Sequence, residues 1–130
     1  MSNIRDPQYI GQVIDFQGMQ YGNCSPTDID LSMDFKGEVF FFIELKWGHA
    51  TLPLGQRIHL EHLVNGLREG GKLAYAIHAR HDTPRGDVIV GSDAVVKQCY
   101  YGRDHGWEKK EEVKLHEFIK KKHEVWKELR

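Results

Sequence analysis

Two stretches in the first half of the chain place the strongest constraint on its fold, because the first alternates apolar with polar residues and the second is almost continuously apolar and rich in aromatic residues. The apolar odd-numbered positions are 29 to 35 in the first stretch and 39 to 45 in the second, with Lys36-Gly37 between them. Apolar residues at a period of two are typical of a β-strand with one buried face. The pattern predicts two strands, from Asp28 to Phe35 and from Val39 to Lys46, that form an antiparallel hairpin.

The register of this hairpin follows from the need to bury both apolar rows on one face. A two-residue turn would pair Phe35 with Glu38 and put the rows on opposite faces. We therefore expect a three-residue loop that pairs Phe35 with Val39. Gly37 suits the left-handed backbone conformation that such a loop contains.

The same register brings charged side chains together. It places Asp30 opposite Glu44 and Asp28 opposite Lys46, with facing Cβ atoms about 4.5 to 5.5 Å apart. Two carboxylates at that distance repel each other unless a cation lies between them. A bound divalent metal ion is one interpretation. The other is that the acids of the first strand form its solvent-exposed face, and that Glu44 and Lys46 lie where the second strand leaves the core.

The remaining elements are predicted from helical or strand periodicity. The sequence indicates an N-terminal helix from Pro7 to Phe16 and a helix from Pro53 to Glu69, which Gly70-Gly71 ends. A third strand is predicted from Leu73 to Ala79 and a short fourth strand from Asp87 to Val90. Residues from about 107 to the C-terminus are predicted to form a long amphipathic helix, packed through Phe118, Ile119 and Trp126.

Composition limits the class of protein. The chain has 130 residues, enough for one domain, and a core from about residue 7 to 91 followed by the C-terminal helix is expected. The net charge of -1 gives no overall attraction to polyanions, so nucleic-acid contacts would need a local basic patch. Two cysteines without a CxxC pattern indicate free thiols. The start, MSNIRDPQY, lacks a signal-peptide pattern, and no apolar run suits a membrane span, so a cytoplasmic protein is expected.

The order of these features resembles that of the PD-(D/E)XK nuclease superfamily. The matching residues are Pro26, Thr27, Asp28, Ile29 and Asp30, followed by Glu44, Leu45 and Lys46. Thr27 separates the proline from the first acid, so the literal PD pair is absent. The resemblance implies a restriction-endonuclease-like α/β fold, an αβββαβ core with a mixed sheet flanked by helices. It also implies metal-dependent hydrolysis of DNA phosphodiester bonds, and the spacing is similar to that of small Holliday-junction resolvases and of phage or repair nucleases.

The resemblance also implies roles for individual residues. Asp30 and Glu44 would bind Mg²⁺ or Mn²⁺ with the backbone carbonyl of Leu45, and Asp28 stays open as an alternative to Asp30. Lys46 would orient the attacking water or stabilise developing charge. Gln56 resembles a glutamine that many members place near the site. Candidate phosphate contacts close to the site in sequence are Arg57, Arg68 and Lys72.

Other functions remain open at this stage. A non-catalytic nucleic-acid-binding or assembly module on the same fold is the main alternative, and an enzyme acting on another phosphoester is a third. A zinc site on His59 and His62, or on His78 and His81, is less favoured than chance spacing. A homodimer is a hypothesis, since two sites would cut two strands and exposed tryptophans are expected at positions 107 and 126.

Overall fold

The structure, a computed structural model, describes residues 15–129, which form one mixed five-stranded sheet and two α-helices. The strands are β1 (Leu31–Phe35), β2 (Val39–Trp47), β3 (Leu73–His81), β4 (Val95–Tyr100) and β5 (Trp107–Lys114), and the helices are α1 (Leu54–Glu69) and α2 (Leu115–Leu129). The strands lie side by side in chain order. Only the β2–β3 pair is parallel, and α1 is the crossover that this pairing requires. The α/β class with a mixed sheet is confirmed.

The hairpin of β1 and β2 has the predicted register. Phe35 pairs with Val39, and the ladder continues to Leu31 opposite Ile43. The loop between them contains three residues, and Gly37 has a φ of 69°. Lys36 also has a positive φ, of 57°, which the sequence pattern did not predict.

The first strand begins at Leu31 instead of Asp28. The carboxylate of Asp30 accepts a hydrogen bond from the backbone N–H of Leu45 at 2.8 Å. In the observed register a regular ladder would place Ile29 opposite Leu45. The Asp30 side chain therefore accepts the Leu45 N–H at the point where backbone pairing stops. The predicted strand pairing of Asp28 with Lys46 does not form.

The two helices cover opposite faces of the sheet. Alternate residues of the central strands, such as Phe42 and Ala76, pack with Leu60 and Val64 of α1. The residues between them, such as Ile43, pack with α2 instead; the described members of this second cluster include Phe41, Ile77, Val96, Leu115 and Phe118. Both central strands are thus buried on two sides, which explains their nearly continuous apolar sequence.

The C-terminal half of the sheet differs from the prediction. Residues 87–90 are irregular, and the fourth strand is Val95–Tyr100. The prediction of a strand at Asp87 to Val90 was wrong, because apolar β-branched residues there have no neighbouring strand to pair with. Residues 107–114, predicted as the start of the C-terminal helix, form β5 at the edge of the sheet. Its sequence, WEKKEEVK, has a low β-propensity. Charged residues are nevertheless common in edge strands, because they discourage pairing with another chain.

The core therefore extends beyond the predicted limit of about residue 91. The C-terminal helix exists but begins at Leu115, and it packs through Phe118, Ile119 and Trp126 as predicted. Trp107 and Trp126 are partly buried, so the expectation of exposed tryptophans was wrong. Trp107 contacts Tyr100 and donates a hydrogen bond to Glu61 at 2.6 Å, which joins β5 to α1.

The remaining predictions have mixed outcomes. The helix at Pro53 to Glu69 and the strand at Leu73 to Ala79 are confirmed, the latter extending to His81. The helix at Pro7 to Phe16 lies outside the described residues except for its last two positions. Between residue 15 and α1 the chain forms two strands, whereas the αβββαβ pattern has three. Both cysteines are free, and across residues 15–129 no helix has the length and apolar character needed to cross a membrane.

Candidate active site

A row of polar side chains crosses the α1 face of the sheet, one from each strand or its immediate flank. Glu44 of β2 pairs with His78 of β3, which pairs with Gln98 of β4, which pairs with Lys109 of β5. Asp30, one position before β1, extends the row on the other side of Glu44. We call these five residues the polar row. It lies on the same face as Phe42 and Ala76, which pack against α1.

The two acids of the polar row are in direct contact. Glu44 is 2% exposed, and its carboxyl group forms a side-chain hydrogen bond with Asp30, whose other contact is the Leu45 N–H. Burial first, and then the charge and hydrogen bond of Asp30, raise the pKa of Glu44 to about 7, while the charge of Lys46 opposes this rise. The predicted juxtaposition of Asp30 and Glu44 is confirmed. A pKa of about 7 means that part of the Glu44 population keeps its proton near neutral pH.

Lys46 lies two residues after Glu44 on the same face of β2, opposite Arg80. Its positive charge is close enough to lower the pKa of both Glu44 and His78. The structure thus brings Asp30, Glu44 and Lys46 together as the sequence predicted. Asp28 is exposed and precedes β1, so its place as an alternative ligand stays a prediction.

His78 is a member of the polar row that the sequence analysis considered only as part of a zinc pair. It is 2% exposed, and its Nδ1 atom lies 3.1 Å from the side-chain nitrogen of Gln98. Burial lowers the pKa of His78 to about 4, and the charge of Lys97 adds to this effect. The backbone of Ala50 acts weakly in the opposite direction, but no hydrogen bond of good geometry reaches Nε2 within residues 15–129.

The other predicted site residues lie at different distances from the carboxylates. Gln56, in the first turn of α1, has a buried side-chain oxygen without a hydrogen-bond partner in residues 15–129. No described hydrogen bond links it to Asp30 or Glu44, so its role stays a prediction. The Leu45 backbone takes part through its N–H, and coordination by its carbonyl likewise stays a prediction.

The three predicted phosphate contacts separate into two groups. Arg57, in the first turn of α1, forms an ion pair with Glu61 and lies 5.1 Å from the centre of the Trp107 ring. Arg68, near the other end of α1, donates to the carbonyl of Ala74 and stacks over Tyr75. Lys72 precedes β3 at that same end. Ala74 is four residues from His78 along β3, about 13 Å at 3.3 Å per residue, so only Arg57 lies toward the polar row.

Metal-binding clusters of three or more histidine, cysteine, aspartate or glutamate side chains are absent from residues 15–129. The carboxylates of Asp30 and Glu44 are therefore a two-residue set. His78 and His81, weighed as a zinc pair, lie three residues apart on one strand and so face opposite sides of the sheet. His81 contacts Trp47 instead.

Two surface grooves differ in chemical character. A groove of about 900 Å³ on the α2 face is lined mainly by apolar residues of β1, the segment 88–92 and α2. It does not contain the carboxylate pair. A smaller groove of about 460 Å³ on the α1 face is lined mainly by polar residues, which include Arg57, His78, Arg80, Lys97, Gln98, Lys109 and one acid, Glu112. We call this second one the basic groove.

Comparison of the chain with protein-family models, with curated proteins and with solved structures finds no match. The residues of the polar row and the basic groove therefore carry the functional interpretation by themselves. His78, Arg80, Lys97, Gln98 and Lys109 were missed at the level of sequence. For His78 the available signal was a histidine inside the apolar strand LAYAIHA. The other four residues depend on a strand pairing that the sequence pattern did not predict.

Proposed function

We propose that this protein is a Mg²⁺- or Mn²⁺-dependent nuclease that hydrolyses DNA phosphodiester bonds. The observation that carries the proposal is the contact between the carboxyl groups of Asp30 and Glu44, with Lys46 on the same face of β2. The likeness of these residues to the PD-(D/E)XK pattern supports it. A restriction-endonuclease-like core and a branched or junction DNA substrate are the finer parts of the proposal.

The donor set fits a hard divalent cation. Two carboxylates that share a proton at neutral pH are an arrangement that a cation would relieve by replacing that proton. Mg²⁺ commonly takes one or two protein carboxylates and keeps several waters, so a two-residue set is sufficient. Asp30 and Glu44 would hold the ion, with the Leu45 carbonyl as a third oxygen and Asp28 as the alternative acid. Bound there, the ion would supply charge neutralisation and a more acidic water.

Side chains of the protein would orient the attacking water and stabilise the transition state. Lys46 follows Glu44 on the same face of β2 and would donate a hydrogen bond to the attacking water or to a phosphate oxygen, where negative charge grows in the transition state. We assign it to orientation and electrostatic stabilisation. Gln56, from the first turn of α1, is the nearest predicted helper of the same kind and would orient a water through its amide.

Plasmid cleavage tests the proposal. Purified protein should nick supercoiled plasmid with Mg²⁺ or Mn²⁺ and not with EDTA, and a labelled four-way junction run beside linear duplex tests the substrate preference. Asp30→Asn should abolish cleavage. Glu69→Gln, which removes an exposed carboxylate at the far end of α1, is the matched control and should cleave normally. Absence of cleavage with both metals and every DNA would contradict the proposal.

A non-catalytic nucleic-acid-binding or assembly module is the second candidate. The observation that favours it is that Asp30 and Glu44 already share a hydrogen bond, so the pair is satisfied by a proton alone. Such a module would bind DNA but show no Mn²⁺ binding by calorimetry. A homodimer remains a proposal in either case, and light scattering that gives a monomer with full activity at micromolar concentration would contradict it.

A further inference from the structure

The basic groove contains a buried hydrogen-bonding group that the residues around it leave unused. His78 lines the groove and is 2% exposed, yet its Nε2 atom makes no hydrogen bond of good geometry within residues 15–129. The backbone of Ala50 lies nearby but outside that geometry. Buried polar atoms in proteins are nearly always paired. An unpaired one in the wall of a groove can bind a water or an acceptor group of a ligand.

Gln98 determines which nitrogen of the His78 imidazole carries the proton. Its side-chain nitrogen lies 3.1 Å from Nδ1 of His78, and an amide nitrogen is a donor, so Nδ1 is the acceptor. A neutral imidazole that accepts at Nδ1 carries its proton on Nε2. His78, which lines the groove, therefore carries an N–H donor on a buried atom. The matching group is a hydrogen-bond acceptor, such as a phosphate oxygen.

The charges around His78 favour an anion. Lys97 lies at a β-bulge in β4, where the pairing shifts between Val96 and Gln98, and its charge reaches His78. Lys109 follows Gln98 in the polar row. Within the described part of the chain, neither Lys97 nor Lys109 forms an ion pair. Two lysines that are not ion-paired therefore lie beside the donor, in a groove whose own acid, Glu112, is paired with Arg80.

The remaining arginines of the groove are held in place by acids. Arg80 is ion-paired with Asp82 at 2.6 Å and with Glu112 at 3.5 Å, and Arg57 is ion-paired with Glu61. These ion pairs hold the two guanidinium groups in place, and each group keeps N–H donors that the pairs do not use. The groove thus combines free lysines, fixed arginines and one buried N–H donor.

We propose that the basic groove binds the phosphate backbone of a nucleic-acid strand next to the Asp30–Glu44 pair, with His78 donating its Nε2 hydrogen to a phosphate oxygen. Gln98 is a positioning residue that holds the imidazole in this tautomer. The choice of DNA as the strand rests on the proposed nuclease function. The position of the binding site does not rest on that function, because it follows from His78, Lys97 and Lys109.

Metal-free binding isolates this proposal from catalysis. Fluorescence anisotropy of a labelled 20-base-pair duplex, titrated with the full chain in EDTA at several salt concentrations, gives the slope of log K against log salt. Each lysine that contacts a phosphate contributes about 0.9 to that slope. Lys97→Gln and Lys109→Gln should each reduce the slope by about that amount. Lys121→Gln, an exposed lysine of α2 on the other face, should leave it unchanged.

The role of His78 needs a separate readout, because a buried histidine also supports the fold. In a ¹⁵N-labelled protein, long-range proton–nitrogen NMR distinguishes the two imidazole nitrogens of His78, and the Nε2 resonance should shift on addition of duplex. His78→Gln should weaken metal-free binding about tenfold, on the order expected for one hydrogen bond to a charged group. If this variant does not fold, the NMR shift in the unmodified protein still decides.

Several results would overturn the proposal. Duplex binding whose salt slope is unchanged in both Lys97→Gln and Lys109→Gln would place the contact elsewhere. Failure to bind duplex or single-stranded DNA, with a His78 shift on addition of polyglutamate instead, would indicate an acidic protein partner. Asp30→Asn separates the two proposals, since it should keep metal-free binding. If cleavage depends on Asp30 but the lysine variants bind duplex normally, the nuclease proposal stands and the groove proposal is wrong. If the lysine variants lose binding but no cleavage occurs, the groove proposal stands and the nuclease proposal is wrong.

Discussion

Asp30 accepts a hydrogen bond from the backbone N–H of Leu45 at 2.8 Å, and this bond joins the end of β1 to the strand that carries the other proposed site residues. It holds the Asp30 carboxylate next to Glu44 through the backbone, independently of any ion. The acid of the first strand is therefore preorganised by the hairpin itself. Metal affinity should depend on the hairpin as well as on the two carboxylates.

Loss of either carboxylate should remove metal binding. Asp30→Asn and Glu44→Gln each replace a charged oxygen ligand by a neutral amide of the same shape, so Mn²⁺ binding by calorimetry and cleavage should both be lost. Asp28→Asn is the control for the choice between the two acids, since Asp28 lies before β1 and is exposed. If Asp28→Asn abolishes Mn²⁺ binding and Asp30→Asn does not, the assignment of the ligand is wrong.

Substitution of Lys46 should separate metal binding from chemistry. Lys46→Ala removes a positive charge from beside the carboxylates and leaves both ligands in place, so Mn²⁺ affinity should be retained or increased. Cleavage should fall about a hundredfold or more, on the order of one lost transition-state donor. Lys127→Ala, near the end of α2, is the control. Cleavage by Lys46→Ala at the unmodified rate would rule out the site.

The raised pKa of Glu44 has a defined effect on stability. In the folded protein Glu44 keeps its proton up to a pKa of about 7, against 4.5 unfolded, so folding is favoured at low pH and this contribution is lost as pH rises from 4.5 to 7. Glu44→Gln removes the effect. Chemical denaturation in EDTA should give equal stabilities at pH 4, and at pH 8 the variant should be more stable by on the order of 3 kcal/mol. If the unmodified protein and Glu44→Gln have equal stabilities at pH 8, Glu44 is not buried with a raised pKa beside Asp30.

His78 should produce the opposite trend. Its folded pKa of about 4 lies below the unfolded value of 6.5, so its contribution is complete above pH 6.5 and is lost as pH falls toward 4. In the unmodified protein the two groups oppose each other between pH 4.5 and 6.5. Glu44→Gln should therefore show a rise in stability with pH over that interval that the unmodified protein lacks. A flat profile in the variant would indicate that His78 is not held neutral.

The hairpin loop gives a test of the register. Gly37 has a φ of 69°, and a Cβ atom added there would meet no atom within 4 Å. Gly37→Ala should therefore destabilise the fold through backbone strain alone, by about 1 kcal/mol in denaturant unfolding. Lys36→Asn places a residue that tolerates the left-handed region at a φ of 57° and should be neutral or stabilising. A destabilisation by both substitutions would contradict this loop conformation.

The sequence by itself determined the hairpin, its register and the meeting of Asp30 with Glu44. Those features are local: the apolar positions of two adjacent strands decide which residues face each other, and a turn of three residues follows from them. The helix α1 and the strand β3 were also predictable, because their periodicity and the Gly70-Gly71 break are contained in short segments. The identity of the acids at the candidate site follows from this local pattern.

Tertiary structure alone decided the other half of the sheet. Residues 107–114 have the composition of a helix surface, but they form β5 because β4 offers an unpaired edge and an edge strand tolerates charge. Pairing of β3, β4 and β5 then aligns His78, Gln98 and Lys109, which are far apart in sequence. The contacts between them depend on which strands become neighbours. Burial of whole faces against α1 and α2 sets that order, and no short segment of the chain contains the information.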